Sequence, residues 1–167
     1  MGKGINMKRN VFLLMPILFL CVFMQNLFSQ DISPEKIVDL KVKTSLTRLK
    51  KDGIIDVFLV LKIKQGWHIN SDKPFDSNLS PTSVNFQDKH EFKVVKITYP
   101  PPMLKKLSFS ESELALFENE TTIKVELKPT NKEFKGKLRI EGELNYQPCN
   151  NETCLFPVSK PFSSIVK

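Results

Sequence analysis

The sequence is poor in cysteine and glycine, and it lacks the short motifs of several common enzyme classes. Its 167 residues include three cysteines, one tryptophan and six glycines. No Gly-x-Ser-x-Gly, His-Glu-x-x-His or glycine-rich phosphate loop occurs, which argues against the hydrolases and phosphate-binding enzymes that use these motifs. The chain also has no internal repeat and no low-complexity tail. Any chemistry must therefore come from other residues.

Long apolar runs are also scarce, and the one clear apolar run lies near the N-terminus. A basic start precedes an apolar stretch at residues 11–24, followed by a plausible cleavage point before Asp31. This order is typical of a secretory signal peptide. We therefore predict a signal peptide at residues 1–30 and an exported, periplasmic domain at residues 31–167. The stretch is short for a membrane span, so membrane anchoring, including through a lipid on Cys21, is the less favoured alternative.

Charge of one sign is not concentrated anywhere in the chain. Without the basic residues of the signal, 22 basic and 18 acidic residues remain, a net charge of +4. The basic doublets Lys50-Lys51 and Lys105-Lys106 are short. A dispersed surplus of this size is typical of a solvated surface and not of a nucleic-acid site. We expect no nucleic-acid partner.

Alternation of apolar and polar residues dominates what is present. It is clearest in Lys137–Gln147, whereas Ile54–Lys64 is apolar on both faces, as in a central strand. The predicted strands are Val38–Leu49, Ile54–Lys64, Thr82–Phe86, Phe92–Tyr99, Thr121–Lys128, Lys137–Gln147 and Phe162–Val166. No convincing amphipathic helix appears. Seven or eight short strands predict an all-β fold, a two-sheet antiparallel sandwich.

Two cysteines remain after the signal, Cys149 and Cys154, in a segment rich in proline and asparagine. A pair so close can open and close as a disulfide with little movement of the fold. As a permanent staple it would be weak, because closing so short a loop contributes only about 2 kcal/mol. Small secreted domains that depend on disulfides usually carry several. The spacing is therefore compatible with two interpretations, a redox-active pair and a structural disulfide.

Three connections interrupt the strand pattern. Lys51-Asp52-Gly53 predicts a hairpin turn between the first two strands. Gly66–Leu79 and Pro100–Glu113 are predicted to be long loops, and a single helical turn would fit 110–117. Both loops carry apolar side chains, which in exposed loops usually cover something. We expect them to cover the cysteine pair.

A metal site is a further possibility for the cysteines. Two thiolates together with His68 could hold copper or zinc. The offset between the cysteines is not that of the usual metal-binding pair, and no second pair exists. We therefore expect no metal and no cofactor, and we expect His68 to be structural or to line a pocket.

Particular stretches resemble a known family. Tyr146-Gln147-Pro148-Cys149 and Cys154-Leu155-Phe156-Pro157 resemble the active-site segment of the N-terminal periplasmic domain of the DsbD family of thiol:disulfide interchange proteins. Gly66-Trp67-His68-Ile69-Asn70 and Tyr99-Pro100 are similar to other stretches of that domain. The resemblance covers roughly residues 35–165, nearly all of the predicted mature domain.

The resemblance implies an immunoglobulin-like β-sandwich in which Cys149 and Cys154 cycle between dithiol and disulfide. By analogy with the family, Cys154 is the better choice for the attacking residue. The family shields its cysteines with an aromatic residue on a cap loop. Here that residue would be Phe109, with Leu107 as the alternative. The residues expected to line the pocket are Trp67, His68 and Tyr146.

The resemblance also implies partners. The domain would act as a protein-disulfide reductase that receives electrons from a thioredoxin-like or membrane-embedded donor. It would pass them to periplasmic disulfide isomerases or other thioredoxin-fold acceptors. Family members are often fused to a membrane domain and a thioredoxin-like domain, and this sequence ends at Lys167 without them, so we expect a stand-alone shuttle. The alternative is a secreted immunoglobulin-like binding or scaffold domain with a structural disulfide.

Overall fold

The computed structural model describes residues 33–87, 91–131 and 137–166, and the predicted signal at 1–30 lies outside them. Within these ranges lie eleven strands, a 3₁₀ turn at Pro34–Lys36 and a short helix α1 at Leu49–Asp52. The strands are β1 Val38–Ser45, β2 Ile55–Ile63, β3 His68–Asn70, β4 Ser83–Phe86, β5 Phe92–Thr98, β6 Met103–Lys105, β7 Leu114–Glu118, β8 Glu120–Pro129, β9 Leu138–Tyr146, β10 Pro148–Cys149 and β11 Val158–Val166. No helix in the described part of the chain has the length and apolar character needed to cross a membrane.

The strands form three antiparallel sheets. Their strand orders are β1-β2-β8-β5, β10-β3-β7-β6 and β11-β9-β4. We call the second of them the short-strand sheet, because its members have two to five residues. The prediction of an all-β antiparallel fold is confirmed.

Burial follows the alternation of the sequence. Side chains of β9 alternate between buried and more exposed positions along its whole length. Strand β2 is buried at nearly every position, as predicted, and it is a central strand that pairs with β1 on one edge and β8 on the other. Residues from all three sheets meet in one hydrophobic core, whose fully buried members include Leu59, Leu61, Ile69, Ile123, Leu127, Ile140, Leu144 and Tyr146.

The short-strand sheet continues the ladder between β2 and β8. Lys62 pairs with Glu120 in that ladder, and after a break His68 pairs with Glu118. Asn119 marks the break, with a φ of 59° and a carbonyl that accepts a hydrogen bond from the Ile63 amide at 2.7 Å. Asparagine tolerates this left-handed conformation better than most residues. The positions of β3 and β7 therefore follow from the ends of β2 and β8.

Several predicted connections are wrong in detail. The first strand ends at Ser45, and the turn after it is helix α1, closed by Gly53 in the left-handed conformation. The two predicted loops contain β3 and β6, and residues 114–118 form strand β7 where a helical turn was considered. These strands are too short to show a period-two pattern by themselves.

Candidate functional site

Cys149 and Cys154 form a disulfide across a small β-hairpin that follows β9. Their Cα atoms are 4.0 Å apart. On one side of the pair, the Leu155 amide donates to the Pro148 carbonyl at 2.8 Å. On the other side, the Asn150 amide donates to the Thr153 carbonyl at 2.9 Å. The cysteines thus occupy a position between backbone hydrogen bonds, where opposed side chains come closest.

The tip of this hairpin is held by Asn150. Its side-chain oxygen accepts hydrogen bonds from the amides of Glu152 and Thr153, each at 2.8 Å. Asparagine commonly organises turns in this way. The hairpin therefore has backbone and side-chain hydrogen bonds that do not involve sulfur, and these can persist when the disulfide is reduced.

The two sulfurs differ in their environment. Cys149 is fully buried in β10, whereas Cys154, on the outer arm of the hairpin, is partly exposed. Phe156, two residues further on, exposes 88% of its surface. An approaching partner therefore meets Cys154 before Cys149.

Four side chains form a row across neighbouring strands. Cys154 is opposite Cys149, Cys149 is opposite His68 in β3, and His68 is opposite Glu118 in β7. Directly opposed residues of an antiparallel ladder lie on the same face, with Cβ atoms about 4.5–5.5 Å apart. We call this set the cross-strand row. It brings together segments that are far apart in the sequence.

His68 is the buried polar member of this row, with only 2% of its surface exposed. Its Nδ1 atom lies 3.5 Å from Oε2 of Glu118, and neither ring nitrogen makes a well-formed hydrogen bond to the described residues. Burial, followed by the positive charge of Lys105, lowers the pKa of His68, whereas the Glu118 carboxylate and the backbone carbonyl of Asn150 oppose this. The imidazole is therefore held neutral near pH 7.

Glu118 links the row to the surface. Its Oε2 atom also lies 3.5 Å from Nζ of Lys105 in β6. The Glu118 side chain is 21% exposed and that of Lys105 is 41% exposed. The carboxylate thus lies between the buried imidazole and a cation in contact with solvent.

Gln147 braces the hairpin against the rest of the fold. Its Oε1 atom accepts hydrogen bonds from the side chain of Asn70 at 3.0 Å and from the amide of Ser80 at 2.9 Å. Its Nε2 atom donates to the Leu155 carbonyl at 3.1 Å. Gln147 is not among the predicted site residues. Its position between Tyr146 and Pro148 in the family-like segment was the signal that could have indicated it.

The predicted cap loop touches the tip of the hairpin. Ser108 donates from its amide to the Asn151 carbonyl at 3.2 Å, and its hydroxyl bonds to the same oxygen. Next to it, Phe109 is 41% exposed and lines a pocket of about 310 Å³ together with Asp76 and Leu79. Leu107 is 2% exposed and packs with Leu114 and Leu116 in a small separate cluster. Leu107 therefore anchors the loop, and Phe109 is its accessible aromatic residue.

The remaining predicted pocket residues lie at the core. Trp67 is partly buried and packs against the main hydrophobic core. Tyr146 is 1% exposed, and its hydroxyl donates to the Pro34 carbonyl at 3.3 Å. Burial raises the pKa of Tyr146 to about 12. The structure places Tyr146 in the core at the end of β9, and a role for either residue in a pocket stays a prediction.

Within residues 33–87, 91–131 and 137–166, no group of three or more His, Cys, Asp or Glu side chains is arranged to hold a metal ion. His90, the other histidine, lies outside the described residues. The cross-strand row brings together the two sulfurs, the imidazole and a carboxylate.

Comparison with known proteins adds family and fold. Residues 38–164 match the family described as thiol:disulfide interchange protein DsbD, N-terminal. No curated protein matches the chain. Among solved structures, the N-terminal periplasmic domain of ScsB from Proteus mirabilis is similar, with a TM-score of 0.51 and 15% sequence identity.

That similarity covers 77% of this chain and 45% of the ScsB chain, so this protein spans less than half of that solved chain. At such low identity the likeness concerns the fold alone. It confirms the antiparallel β-sandwich that the strand pattern predicted and the immunoglobulin-like fold that the family resemblance implied.

Proposed function

Because the chain belongs to the family of the DsbD N-terminal domain, a family of thiol:disulfide interchange proteins, we propose that it relays reducing equivalents through Cys149 and Cys154. The observation that carries this proposal is the disulfide on a hairpin whose other bonds are independent of it. Such a pair can change redox state without unfolding its surroundings. A disulfide that only stapled the fold would be expected to join distant strands.

The exposure of the two sulfurs supports an order of events. In the reduced protein, the thiolate of Cys154 attacks the disulfide of an acceptor and forms a mixed disulfide, releasing one acceptor thiol. The thiol of Cys149 then loses its proton and attacks Cys154. This forms the Cys149–Cys154 disulfide and releases the second acceptor sulfur as a thiol. Two electrons pass to the acceptor, and Cys149 stays buried until the resolving step.

The loop around Phe109 is proposed to shield the pair. It is attached to the hairpin tip through Ser108 and Asn151, and the Phe109 side chain is 41% exposed. Docking of a partner can displace the Phe109 ring at low cost, while the buried Leu107 keeps the loop anchored. Shielding would limit oxidation of the dithiol by small molecules while leaving exchange with a docked protein fast.

The proposed partners are proteins of the thioredoxin fold. A thioredoxin-like or membrane-embedded donor would reduce the disulfide, and a periplasmic disulfide isomerase or similar acceptor would oxidise the dithiol. The apolar surface at Phe156 beside the accessible sulfur is suited to contact with another protein. Export of the domain to the periplasm through the segment 1–30 is part of the same proposal.

The test combines a measurement of the reduction potential of the cysteine pair with an experiment that traps the mixed disulfide. We expect the purified protein to show a reduction potential of about −200 to −270 mV, comparable with thioredoxin-type couples. We also expect Cys149→Ser to accumulate a mixed disulfide with a thioredoxin-fold protein through Cys154, and Cys154→Ser to trap far less. A potential below about −300 mV with no trapped complex would identify a structural bridge and a binding or scaffold domain.

A further inference from the structure

His68 is a buried polar side chain that the proposed exchange does not use. It is 2% exposed, and both ring nitrogens lack a well-formed hydrogen bond to the described residues. Buried polar groups are nearly always satisfied, because leaving one unpaired costs about 1–3 kcal/mol. An apolar residue at this position would avoid that cost. The imidazole therefore calls for an explanation beyond packing.

Its neighbours in the cross-strand row supply one. A sulfur that must lose a proton, Cys149, lies on one side of His68, and a carboxylate, Glu118, lies on the other. Nucleophile, base and orienting acid follow one another in the same order at many sites of covalent catalysis. The carboxylate 3.5 Å from Nδ1 favours a proton on that nitrogen. Nε2 then carries the lone pair, and it makes no well-formed hydrogen bond to the described residues.

We propose that His68, oriented by Glu118, accepts the proton of Cys149 when Cys149 attacks the mixed disulfide on Cys154. This inference rests on the proposed function, since it concerns the resolving step of the same exchange. In that step the Cys149 S–H bond breaks and Nε2 of His68 takes the proton. The Cys149–Cys154 bond forms while the bond from Cys154 to the partner breaks. The departing sulfur takes the electron pair, and His68 returns its proton to that thiolate or to water.

The charges around His68 fit a base better than a fixed cation. The titratable groups that face it are Cys149 from β10, Glu118 from β7 and Lys105 from β6. Lys105 shares the same carboxylate oxygen, so the negative charge beside the imidazole is partly compensated. Burial and Lys105 lower the pKa of His68. A neutral imidazole can accept a proton at pH 7, whereas an imidazolium cannot.

The thiolate fraction at pH 7 sets the expected size of the rate acceleration by a base at His68. A thiol with the ordinary pKa of about 8.5 is only about 3% thiolate at pH 7, so full deprotonation of such a thiol would accelerate attack by about 30-fold. The advantage disappears at alkaline pH, where the thiolate forms without help. A base at His68 therefore predicts a rate difference near pH 7 that closes above about pH 9.

One equivalent of an aromatic disulfide that releases a coloured thiolate separates the two steps. Attack by Cys154 releases the first coloured thiolate, and attack by Cys149 on the resulting mixed disulfide releases the second. We expect His68→Gln to leave the first release unchanged. The second should slow by about five- to 30-fold at pH 7 and return to the wild-type rate above about pH 9.

Glu118→Gln provides a second variant at a partly exposed position, in case the buried His68→Gln does not fold. It should slow the same release by a smaller factor and shift its pH dependence, because the imidazole loses its orienting carboxylate. Glu120→Gln is the matched control, since Glu120 lies two residues away, pairs with Lys62 and is outside the row. Both thiolate releases of Glu120→Gln should have the rates and the pH dependence of the wild type.

The outcomes separate the two levels of the proposal. Suppose that the wild-type protein gives both releases, and that the second release has the wild-type pH profile in both His68→Gln and Glu118→Gln. The role of His68 is then overturned, and the relay function stands. If the reduced wild-type protein gives no first release, Cys154 is not a nucleophile and the proposed function itself fails. A uniform slowing of both releases in the variants would indicate a structural role and would also overturn this inference.

Discussion

Cys149 and His68 are directly opposed on β10 and β3, and both side chains are buried. The other cysteine of the pair, Cys154, is partly exposed on the outer arm of the hairpin. The buried sulfur of Cys149 thus lies opposite an imidazole, whereas the sulfur of Cys154 is on the side of the hairpin that is accessible to solvent. This asymmetry is the structural basis for assigning attack to Cys154 and resolution to Cys149.

Phe109→Ala should expose the reduced cysteine pair to small reagents. A ring that is 41% exposed contributes on the order of 1 kcal/mol of burial, so we expect alkylation and oxidation rates to rise about fivefold. Quenched iodoacetamide labelling of the reduced protein measures this. Phe75→Ala, at a phenylalanine that is 67% exposed, is the control. Unchanged rates in Phe109→Ala would show that Phe109 is not the cap.

Leu107 gives a contrasting expectation on the same loop. Because Leu107 is 2% exposed among Leu114 and Leu116, Leu107→Ala should lower the free energy of unfolding by about 2–4 kcal/mol. Urea denaturation of the oxidised protein measures this loss. A loss below about 1 kcal/mol would mean that the small cluster does not anchor the loop.

Gln147→Ala should loosen the hairpin and destabilise the fold. The substitution removes three hydrogen bonds, to Asn70, Ser80 and Leu155. The Asn70 side chain is fully buried, so part of the loss is the cost of an unpaired group, and we expect about 2 kcal/mol in all. Equilibrium urea unfolding provides the measurement, with Gln87→Ala at an exposed glutamine as the control. Equal stability of the two variants would refute the bracing role.

Acid should destabilise the protein through His68. The pKa of His68 is lowered in the folded state, so on acidification the unfolded chain binds this proton first. The contribution to stability is complete above the ordinary histidine pKa of about 6.5, and it is lost as pH falls from there towards the folded pKa. His68→Gln should show a smaller loss of unfolding free energy between about pH 7.5 and pH 5. Parallel pH profiles for both proteins would contradict this expectation.

The predicted strands of the two sheets other than the short-strand sheet were mostly correct, for a physical reason. Long strands such as β8 and β9 bury alternate side chains against the core, so the alternation is written in the sequence. The short-strand sheet was missed because its members of two to five residues carry too little pattern. Residues 66–79 and 100–113 were therefore predicted as loops.

The sequence by itself determined the all-β class, the antiparallel sandwich, the cysteine pair and the family, because each is a local pattern of residues along the chain. Only the tertiary structure decided that His68 and Glu118 stand in one row with the cysteines, that Cys149 is the hidden sulfur, and that Gln147 braces the hairpin. The row joins residues from β3, β7 and β10. Its register is set by where the long strands β2, β8 and β9 break or end, which no local pattern in the short strands records.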